Sequence, residues 1–368
     1  MQRGIYLRPT GLLPAPAGDG SLWGGLPLAG GWLCFTAIEI RNRRPAGGER
    51  DGRIFSLGEF SEREWGRDTL PAADLFEAFR RPRGRLAGLT LDRPRIMGIV
   101  NLTPDSFSDG GRLASVDAAV AHGLKLVDEG ADILDLGAES TRPGSQAVPV
   151  DEELRRMLPV LAALRERSDV LISVDTRKAE VMRRAADAGA DILNDVSALS
   201  HDPDALVAAA ETGLPVVLMH ALGDPKTMQD NPVYEDVLLD VMDYLERRIV
   251  AARAAGIPAE RLIVDPGIGF GKTLAHNLAL MSGLAMLHGL GVPVLLGASR
   301  KRFIGLITGV EAADARVAGS VGAALAGIAQ GAQILRVHDV AATRQAVDVW
   351  MAATTGRVEC DRPLGPAA

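Results

Sequence analysis

The sequence predicts an α/β protein, a (β/α)8 TIM barrel with an irregular N-terminal extension. Three observations support this prediction. From Pro94 onward, eight short apolar runs alternate with amphipathic segments. The runs are apolar at nearly every position, which indicates strands buried on both faces of a parallel sheet. A polar cluster follows almost every run, as expected where the carboxyl ends of barrel strands converge on one face.

The strands and helices of the barrel can be placed in chain order. Strands are expected at residues 96–100, 133–136, 170–174, 192–193, 215–219, 262–264, 294–296 and 334–337, and helices at 116–129, 152–167, 178–188, 234–255 and 315–330. Eight repeats in about 260 residues match the size of a closed barrel. A doubly wound open sheet is the alternative, but it would usually show fewer strands and a glycine-rich first turn.

The N-terminal residues 1–92, called the extension below, differ from the rest. They are rich in glycine, proline and arginine, contain no lysine and lack a strand–helix rhythm. Residues 32–40 are expected to form one strand, and residues 71–79 one short amphipathic helix. We interpret the extension as a small cap rather than an independent catalytic domain. The barrel then spans residues 93–358, and 359–368 form a C-terminal tail.

Composition narrows the classes of function. Of the 368 residues, 47% are hydrophobic and 24% are charged, which is typical of a soluble globular protein. The net charge of −7 gives no general attraction to nucleic acid or acidic membranes, so an anionic substrate must be held by locally placed cations. Cys34 and Cys360 are the two cysteines, without CxxC spacing, which favours a reducing cytoplasm. No apolar run has the length of a membrane span, and no signal peptide is expected.

Two loops after the first strands carry candidate ligands. The segment Asn101-Leu-Thr-Pro-Asp-Ser-Phe107 places an aromatic residue in a loop, and we expect a mobile lid rather than an anchored turn. The segment after the second strand contains Asp135 and Glu139, each of which could equally be a paired structural acid. Thr141 and Arg142, just before a Pro-Gly turn, are expected to face a ligand.

Three polar residues end strands on the same face: Asp175, Asn194 and Asp265. A carboxylate accepts two parallel hydrogen bonds from an N–H beside an amino group, and an asparagine both donates and accepts. This set suits the edge of a guanidine-like heterocycle such as a pterin. Each residue alone is more often a helix cap, but three in phase favour a binding site.

The last strands carry glycine-rich and basic segments. Asp265-Pro-Gly-Ile-Gly-Phe-Gly-Lys272-Thr is not a Walker A motif, because Pro266 stands where glycine is required. Ser299-Arg300-Lys301 and the pair Arg336/His338 follow strands seven and eight, where barrels bind phosphate. We expect an anion site there rather than a solvated basic face. Lys272 and Lys301 are two of only five lysines, so we expect both to contribute.

These segments resemble dihydropteroate synthases. The resemblance runs from about Pro94 to His338 and rests on NLTPDSFSDGG, GAESTRPGS, DPGIGFGKT and GASRK, in that order. It implies that the protein condenses 6-hydroxymethyl-7,8-dihydropterin diphosphate with p-aminobenzoate, that it uses Mg²⁺ and belongs to a class of sulfonamide targets, and that it forms a homodimer with no nucleic-acid or membrane partner. The extension is not covered.

The resemblance also implies roles for individual residues. Pterin contacts and catalysis fall to Asp175, Asn194, Asp265 and Lys301, with Met219 and Gly297 completing the pterin pocket. The diphosphate falls to Asn101, Arg142, Arg336 and His338, with Asn101 also near Mg²⁺. The p-aminobenzoate pocket falls to Phe107, Thr141, Pro143, Phe270, Ser299 and Lys301, and Asp109 belongs to the first loop.

Two other functions compete with this one. Pterin-dependent methyltransferases, similar to the methyltetrahydrofolate–corrinoid enzymes, share the barrel and the pterin contacts but need no diphosphate site. The basic segments after strands seven and eight therefore argue against them. A non-catalytic pterin-binding paralogue is the second alternative, which the intact loop residues Phe107 and Thr141 oppose.

Overall fold

The structure, a computed structural model, describes residues 4–15, 24–43, 52–62, 70–103, 116–140, 147–223, 228–356 and 358. The extension forms two small antiparallel sheets and two helices rather than irregular chain. Its elements are β1 (Ile5–Thr10), β2 (Leu13–Pro14), β3 (Leu26–Pro27), β4 (Leu33–Phe35), β5 (Ala37–Asn42), β6 (Arg53–Ser56), α1 (Leu57–Glu62) and α2 (Leu70–Arg80).

The strand order in the two sheets is β1-β5-β6 and β2-β4-β3. The single strand expected at 32–40 is divided into β4 and β5 at Thr36, whose amide donates to the carbonyl of Thr10. The helix expected at 71–79 is α2. The sheets escaped prediction because their strands are short and pair with distant partners, as Ile5 does with Asn42.

The barrel consists of eight parallel strands surrounded by helices, as the sequence predicts. Its strands are β7 (Arg95–Asn101), β8 (Ile133–Gly137), β9 (Leu171–Asp175), β10 (Ile192–Asp195), β11 (Val216–Met219), β12 (Leu262–Asp265), β13 (Leu295–Leu296) and β14 (Ile334–Val337). Its helices are α3 (Val116–Asp128), α4 (Val150–Arg165), α5 (Ala179–Asp187), α6 (Ala205–Thr212), α7 (Val237–Ala254), α8 (Leu274–Ser282), α9 (Arg302–Thr308), α10 (Val317–Ile328) and α11 (Val340–Thr355).

The strand order β12-β11-β10-β9-β8-β7-β14-β13 is that of a singly wound barrel, and a parallel bridge between Val264 and Val294 joins its two end strands. The open-sheet alternative is therefore wrong. Each expected strand is present within one or two residues of its place, because a run that is apolar on both faces can only be buried as a central strand.

The lower half of the barrel interior is an apolar layer. Each strand sends one side chain inward near its beginning, and Leu86, Leu89 and Leu91 close this layer from below. Leu86 and Leu89 pair through a short antiparallel bridge just before β7. The layer consists of Met97, Ile133, Leu171, Ile192, Val217, Ile263, Leu295 and Ile334.

The extension shares its hydrophobic core with the barrel helices. Trp32 donates its indole N–H to the carbonyl of Ile328 at the end of α10 (3.1 Å). Arg83 donates to the carbonyl of His288 (2.9 Å), in the 3₁₀ helix that precedes β13. Phe79 packs against Gly289 of the same 3₁₀ helix, where a Cβ would lie 3.2 Å from the ring. The extension is thus packed on the flank of the barrel. Among the described residues no helix is long and apolar enough to cross a membrane.

Candidate active site

The polar residues expected at strand ends converge at the carboxyl end of the barrel, called the mouth below. Asn101, Gly137, Asp175 and Asn194 are successive register partners across β7, β8, β9 and β10. Met219 and Asp265 are partners across β11 and β12, Gly297 follows β13, and Arg336 lies in β14. Parallel strands bring their ends to one face, so these side chains share one bowl.

A buried network of charges occupies the centre of the mouth. Arg336 donates through Nε to Asp135 (2.5 Å) and through Nη2 to Asp175 (2.8 Å). Asp135 is fully buried and also accepts from Ser173 Oγ (2.6 Å) and from Asn194 Nδ2 (3.2 Å). Asp135, which the sequence left undecided, therefore orients two of the predicted ligands. A buried acid with three donors is well satisfied.

Burial sets the protonation of the two predicted acids. Removal from water raises the pKa of Asp175 to about 7, although the adjacent Arg336 opposes the shift. Burial likewise raises the pKa of Asp265, while the amide of Gly267, which donates to Oδ1 at 2.7 Å, lowers it. Both carboxyls are thus placed where a ligand that donates hydrogen bonds stabilises the ionised form.

The glycines around Asp265 let the backbone approach closely. Gly267 has a φ of +67°, and a Cβ there would lie 1.8 Å from the carbonyl oxygen of His220. A Cβ at Gly297 would lie 3.5 Å from Oδ2 of Asp265, so the missing side chain leaves space beside that carboxyl. Met219 is buried and borders the same turn, with Cγ 3.3 Å from the Cβ position of Gly267.

Lys301 and Phe270 form one side of the mouth. The ammonium of Lys301 lies 3.9 Å from the centroid of the Phe270 ring, a cation–π contact. Removal from water lowers the pKa of Lys301 to about 7, partly offset by the negative charge of Asp265. Gly269 allows the close approach, since a Cβ there would lie 3.0 Å from Cδ of Lys301.

Lys272 supports the glycine-rich loop from beneath. It is 4% exposed, and its ammonium lies 2.9 Å from Nδ1 of His220 and donates to the carbonyl of Phe270 (2.9 Å). Burial lowers the pKa of Lys272 to about 7 and keeps the pKa of His220 well below its usual value. The expected ligand contribution of Lys272 is therefore replaced by support of the loop backbone.

The side chains of Ser299 and Arg300, which follow β13, point to different partners. Ser299 Oγ lies 3.1 Å from Nδ1 of His338, which brings the two expected ligand residues together. Arg300 has a φ of +58°, and its guanidinium pairs with Asp339 (3.0 and 2.5 Å). Arg300 is therefore directed to Asp339 in this structure, and its place in one anion cluster with Lys301 stays a prediction. Helix α9 begins at Arg302, after Lys301 as its N-cap.

Glu139 belongs to an ion-pair network beside the mouth. It accepts from Arg177 (2.9 Å) and from Lys178 (2.6 Å), and Lys178 also pairs with Glu153. The alternative pairing with Arg142 falls on a residue outside those that the structure describes. The same holds for four further predicted ligands, Phe107, Asp109, Thr141 and Pro143.

The described part of the mouth offers oxygen donors to a metal ion. Among the described residues no group of three or more histidine, cysteine or acidic side chains is arranged to hold a metal ion. Asn101, at the end of β7, is half-buried beside Asp175 across Gly137. An amide oxygen is a ligand that Mg²⁺ accepts when substrate phosphate and water supply most of its coordination shell. The donor set therefore fits a substrate-borne Mg²⁺.

Comparisons with known proteins agree with this geometry. The family model described as "Pterin binding enzyme" matches residues 97–338. The dihydropteroate synthase of Escherichia coli (strain K12) is 50% identical over 261 residues, which cover 71% of this chain and 92% of that protein.

Two solved structures are also similar. Xanthomonas albilineans dihydropteroate synthase with 4-aminobenzoic acid shares 57% identity with a TM-score of 0.69, and covers 73% of this chain and 96% of its own. The Yersinia pestis dihydropteroate synthase with a sulfonamide drug complex shares 48% identity with a TM-score of 0.69, and covers 72% and 96%.

Proposed function

This chain belongs to the dihydropteroate synthase family, and we propose that the mouth of its barrel performs the reaction of that family with the residues described above. The reaction joins a dihydropterin diphosphate to p-aminobenzoate and releases diphosphate. The relatives at about 50% identity support this activity rather than a pterin-dependent methyltransferase. The observation that carries the assignment of roles is the convergence of Asp175, Asn194, Asp265, Lys301 and Arg336 on one bowl.

The pterin is held by hydrogen bonds along its edge. Asp265 accepts from the 2-amino group and N3, in the space that Gly297 leaves beside its carboxyl. Asn194 and Asp175 bind the remaining edge atoms, and both are held in place by the Asp135–Arg336 network. The uncharged edge of a pterin presents donors to a carboxylate, so binding favours the ionised form of Asp265.

The bond that breaks is the one between the exocyclic methylene of the pterin and the diphosphate oxygen. Its electron pair leaves with the diphosphate, and Lys301, Arg336 and His338 supply positive charge or donors near the leaving oxygens. The electron-rich dihydropterin and the acids around it stabilise the methylene cation. When bound, Mg²⁺ adds charge neutralisation at the diphosphate, with Asn101 as the protein ligand that would hold it.

The bond that forms joins the methylene carbon to the arylamine nitrogen. Phe270 and Ser299 position p-aminobenzoate beside Lys301, and once the diphosphate has left the nitrogen lone pair attacks the methylene cation. The nitrogen then loses one proton, to water or to the released diphosphate, which gives the neutral secondary amine. The loops that carry Phe107, Asp109, Thr141, Arg142 and Pro143 are assigned the task of covering the aryl ring and excluding water.

Turnover and inhibition test this function together. The purified chain with Mg²⁺, 6-hydroxymethyl-7,8-dihydropterin diphosphate and p-aminobenzoate should form 7,8-dihydropteroate, detected by chromatography. A sulfonamide should inhibit competitively against p-aminobenzoate and not against the pterin substrate. Absence of product with both substrates present, or inhibition that p-aminobenzoate does not relieve, would contradict the assignment.

The family resemblance supports a homodimer in the cytoplasm. The two exposed apolar residues Leu306 and Ile307 on α9, adjacent to α10, supply a surface for such an association. Light scattering should give twice the chain mass, and Leu306→Asp with Ile307→Asp should give the monomer. Val207→Asp, an exposed apolar site on α6, is the control that should leave the mass unchanged.

A further inference from the structure

The glycine-rich loop of the mouth is held from outside by two side chains that precede α7. Gln229 donates through Nε2 to the carbonyl of Gly269 (2.6 Å), and the hydroxyl of Tyr234 donates to the carbonyl of Gly271 (2.8 Å). These carbonyls flank Phe270, whose ring faces Lys301. The orientation of Phe270 therefore depends on where Gln229 and Tyr234 stand.

Tyr234 lies between the start of α7 and helix α8. Its ring packs edge-on against His276 (4.9 Å between centroids), and Asp236 follows two residues later as the N-cap of α7. Asp236 accepts from the amides of Leu238 and Leu239, which ties the segment to the helix. A displacement of the helix start would thus move Tyr234 away from the loop.

The start of α7 is in turn bound to the extension. Asp236, Asp240 and Asp243 are spaced i, i+4 and i+7, which places them on one face of the helix. Arg43 donates through Nη1 to Asp240 (2.7 Å) and through Nη2 to Asp243 (2.7 Å). Arg41 donates to Asp236 (3.1 Å). Two arginines at the end of β5 therefore form ion pairs with three acids on one face at the start of α7.

The innermost contact is a buried one. Asp243 is 3% exposed, and the hydroxyl of the fully buried Tyr6 lies 2.8 Å from its Oδ1. Tyr6 and Arg41 are register partners in the β1–β5 pair, so the sheet presents both groups to α7 together. A buried carboxylate whose donors come from another segment strongly penalises separation of the two segments.

We propose that the extension positions the active site: through Arg43 it fixes the start of α7, and through Gln229 and Tyr234 it holds the Gly269–Gly271 backbone beneath Phe270 and Lys301. Arg43, Gln229 and Tyr234 are positioning residues. The proposal deepens the proposed function, on which the role of Phe270 and Lys301 in binding p-aminobenzoate rests. The extension lies outside residues 97–338, the region that the family model matches.

Steady-state kinetics of Arg43→Ala, Tyr234→Phe and the double variant test the link. Each single variant should raise the KM for p-aminobenzoate about three- to tenfold and change kcat less, measured well below the midpoint of thermal unfolding. The double variant should be no worse than the poorer single variant, because both break one chain of contacts. Arg80→Ala, an exposed arginine whose ion pair lies within α2, is the matched control and should match wild type.

Hydrogen exchange supplies a readout that does not need turnover. Residues 266–273 should exchange faster in Arg43→Ala, whereas α9 should exchange as in wild type. If wild type makes no dihydropteroate, the proposed function fails while the exchange comparison still tests the positioning. Should Arg43→Ala fail to fold, Arg43→Lys and Tyr234→Phe replace it. Additive effects in the double variant, or unchanged KM and unchanged exchange at 266–273, would overturn the proposal.

Discussion

The two ends of the barrel interior are built from the same strands but differ in role: the lower end is packed with apolar side chains, and the mouth carries the polar side chains of the candidate active site. In β8, β10, β12 and β14 an apolar residue of the lower layer is followed two positions later by a polar residue of the mouth, as in Ile133 and Asp135, Ile192 and Asn194, Ile263 and Asp265, and Ile334 and Arg336. Alternate residues of a strand point to the same side. In each of these strands the apolar residue of the lower layer and the polar residue of the mouth are therefore about 6–7 Å apart along the strand.

This difference between the lower layer and the mouth explains how the protein stays folded with several charged side chains buried in its centre. The buried Asp175 carries a desolvation cost that the pairing with Arg336 offsets only in part, and Arg336 also pairs with the buried Asp135. The lower layer, closed by Leu86 and Leu91, contributes packing without polar groups. Substitutions at the mouth should accordingly lower activity, and substitutions in the lower layer should lower the free energy of unfolding.

The largest effect is expected at the mouth. Asp265→Asn and Lys301→Ala should each lower kcat/KM about a thousandfold or more, because each removes a charge from the proposed substrate contacts. Neither should lower the free energy of unfolding at pH 8, because burial disfavours the charged form of both side chains. Asp348→Asn, on the outer helix α11, is the control. A large loss of stability in either variant would break the comparison.

The next effect is expected at the lower layer. Leu86→Ala should reduce the free energy of unfolding by about 2–5 kcal/mol, since Leu86 is 1% exposed and its loss leaves a cavity. Denaturant unfolding measures the change, and kcat/KM at 25 °C should stay at the wild-type value. Leu278→Ala, at an exposed leucine of α8, should change neither quantity. Lost activity with unchanged stability would contradict the division between the two ends.

A pH dependence sharpens the description of the mouth. The pKa of Lys301 is lowered to about 7 by burial, so the free protein loses this charge as the pH rises above 7. The bound diphosphate favours the ammonium form and raises that pKa. Affinity for the pterin diphosphate should therefore fall by up to about tenfold per pH unit above 7.

Calorimetry between pH 7.5 and 8.5 measures this slope, together with proton uptake on binding. In Lys301→Gln the contribution of the lysine disappears, and any slope that persists reports the other groups whose pKa is shifted to about 7, Asp175 and Lys272. The same flat profile in both proteins would show that Lys301 does not change charge on binding.

The smallest effect is expected at the contact between the extension and α7. Tyr6→Phe removes one donor from the buried Asp243 and should lower the free energy of unfolding by about 1–2 kcal/mol. Repeating the substitution in the Arg43→Ala background should give a different increment, because both groups share the same carboxylate. Identical increments in the two backgrounds would show that the contacts are independent.

The sequence predicted the barrel and the strand-end ligands because both follow from local patterns. An apolar run of four or five residues identifies a buried strand, and the polar residue after it marks the mouth. The position of Asp175, Asn194 and Asp265 at the mouth was predicted in this way, and their role as ligands stays a prediction. The partners of these residues were not predicted, since the pairing of Arg336 with Asp135 joins positions about 200 residues apart along the chain.

The features that the sequence did not predict depend on backbone conformation or on contacts between residues far apart in the chain. Arg300 stands beside Lys301 in sequence, yet its left-handed backbone directs it to Asp339. Gln229 and Tyr234 bond to backbone carbonyls across the fold, a kind of contact that leaves no local signature. The two sheets of the extension likewise depend on pairings that only the folded chain reveals.

The scarcity of lysine makes the mouth chemically addressable. The chain has five lysines, and a pKa of about 7 leaves Lys301 with a substantial fraction of free amine at neutral pH. Lys125, by contrast, is exposed to solvent on the surface of the protein. Lys272 has a similarly lowered pKa but is buried beneath the glycine-rich loop. An amine-selective acylating group carried by an aryl acid would therefore meet a free amine at Lys301, inside the mouth, so that reactivity as well as shape can guide covalent inhibitors of this protein.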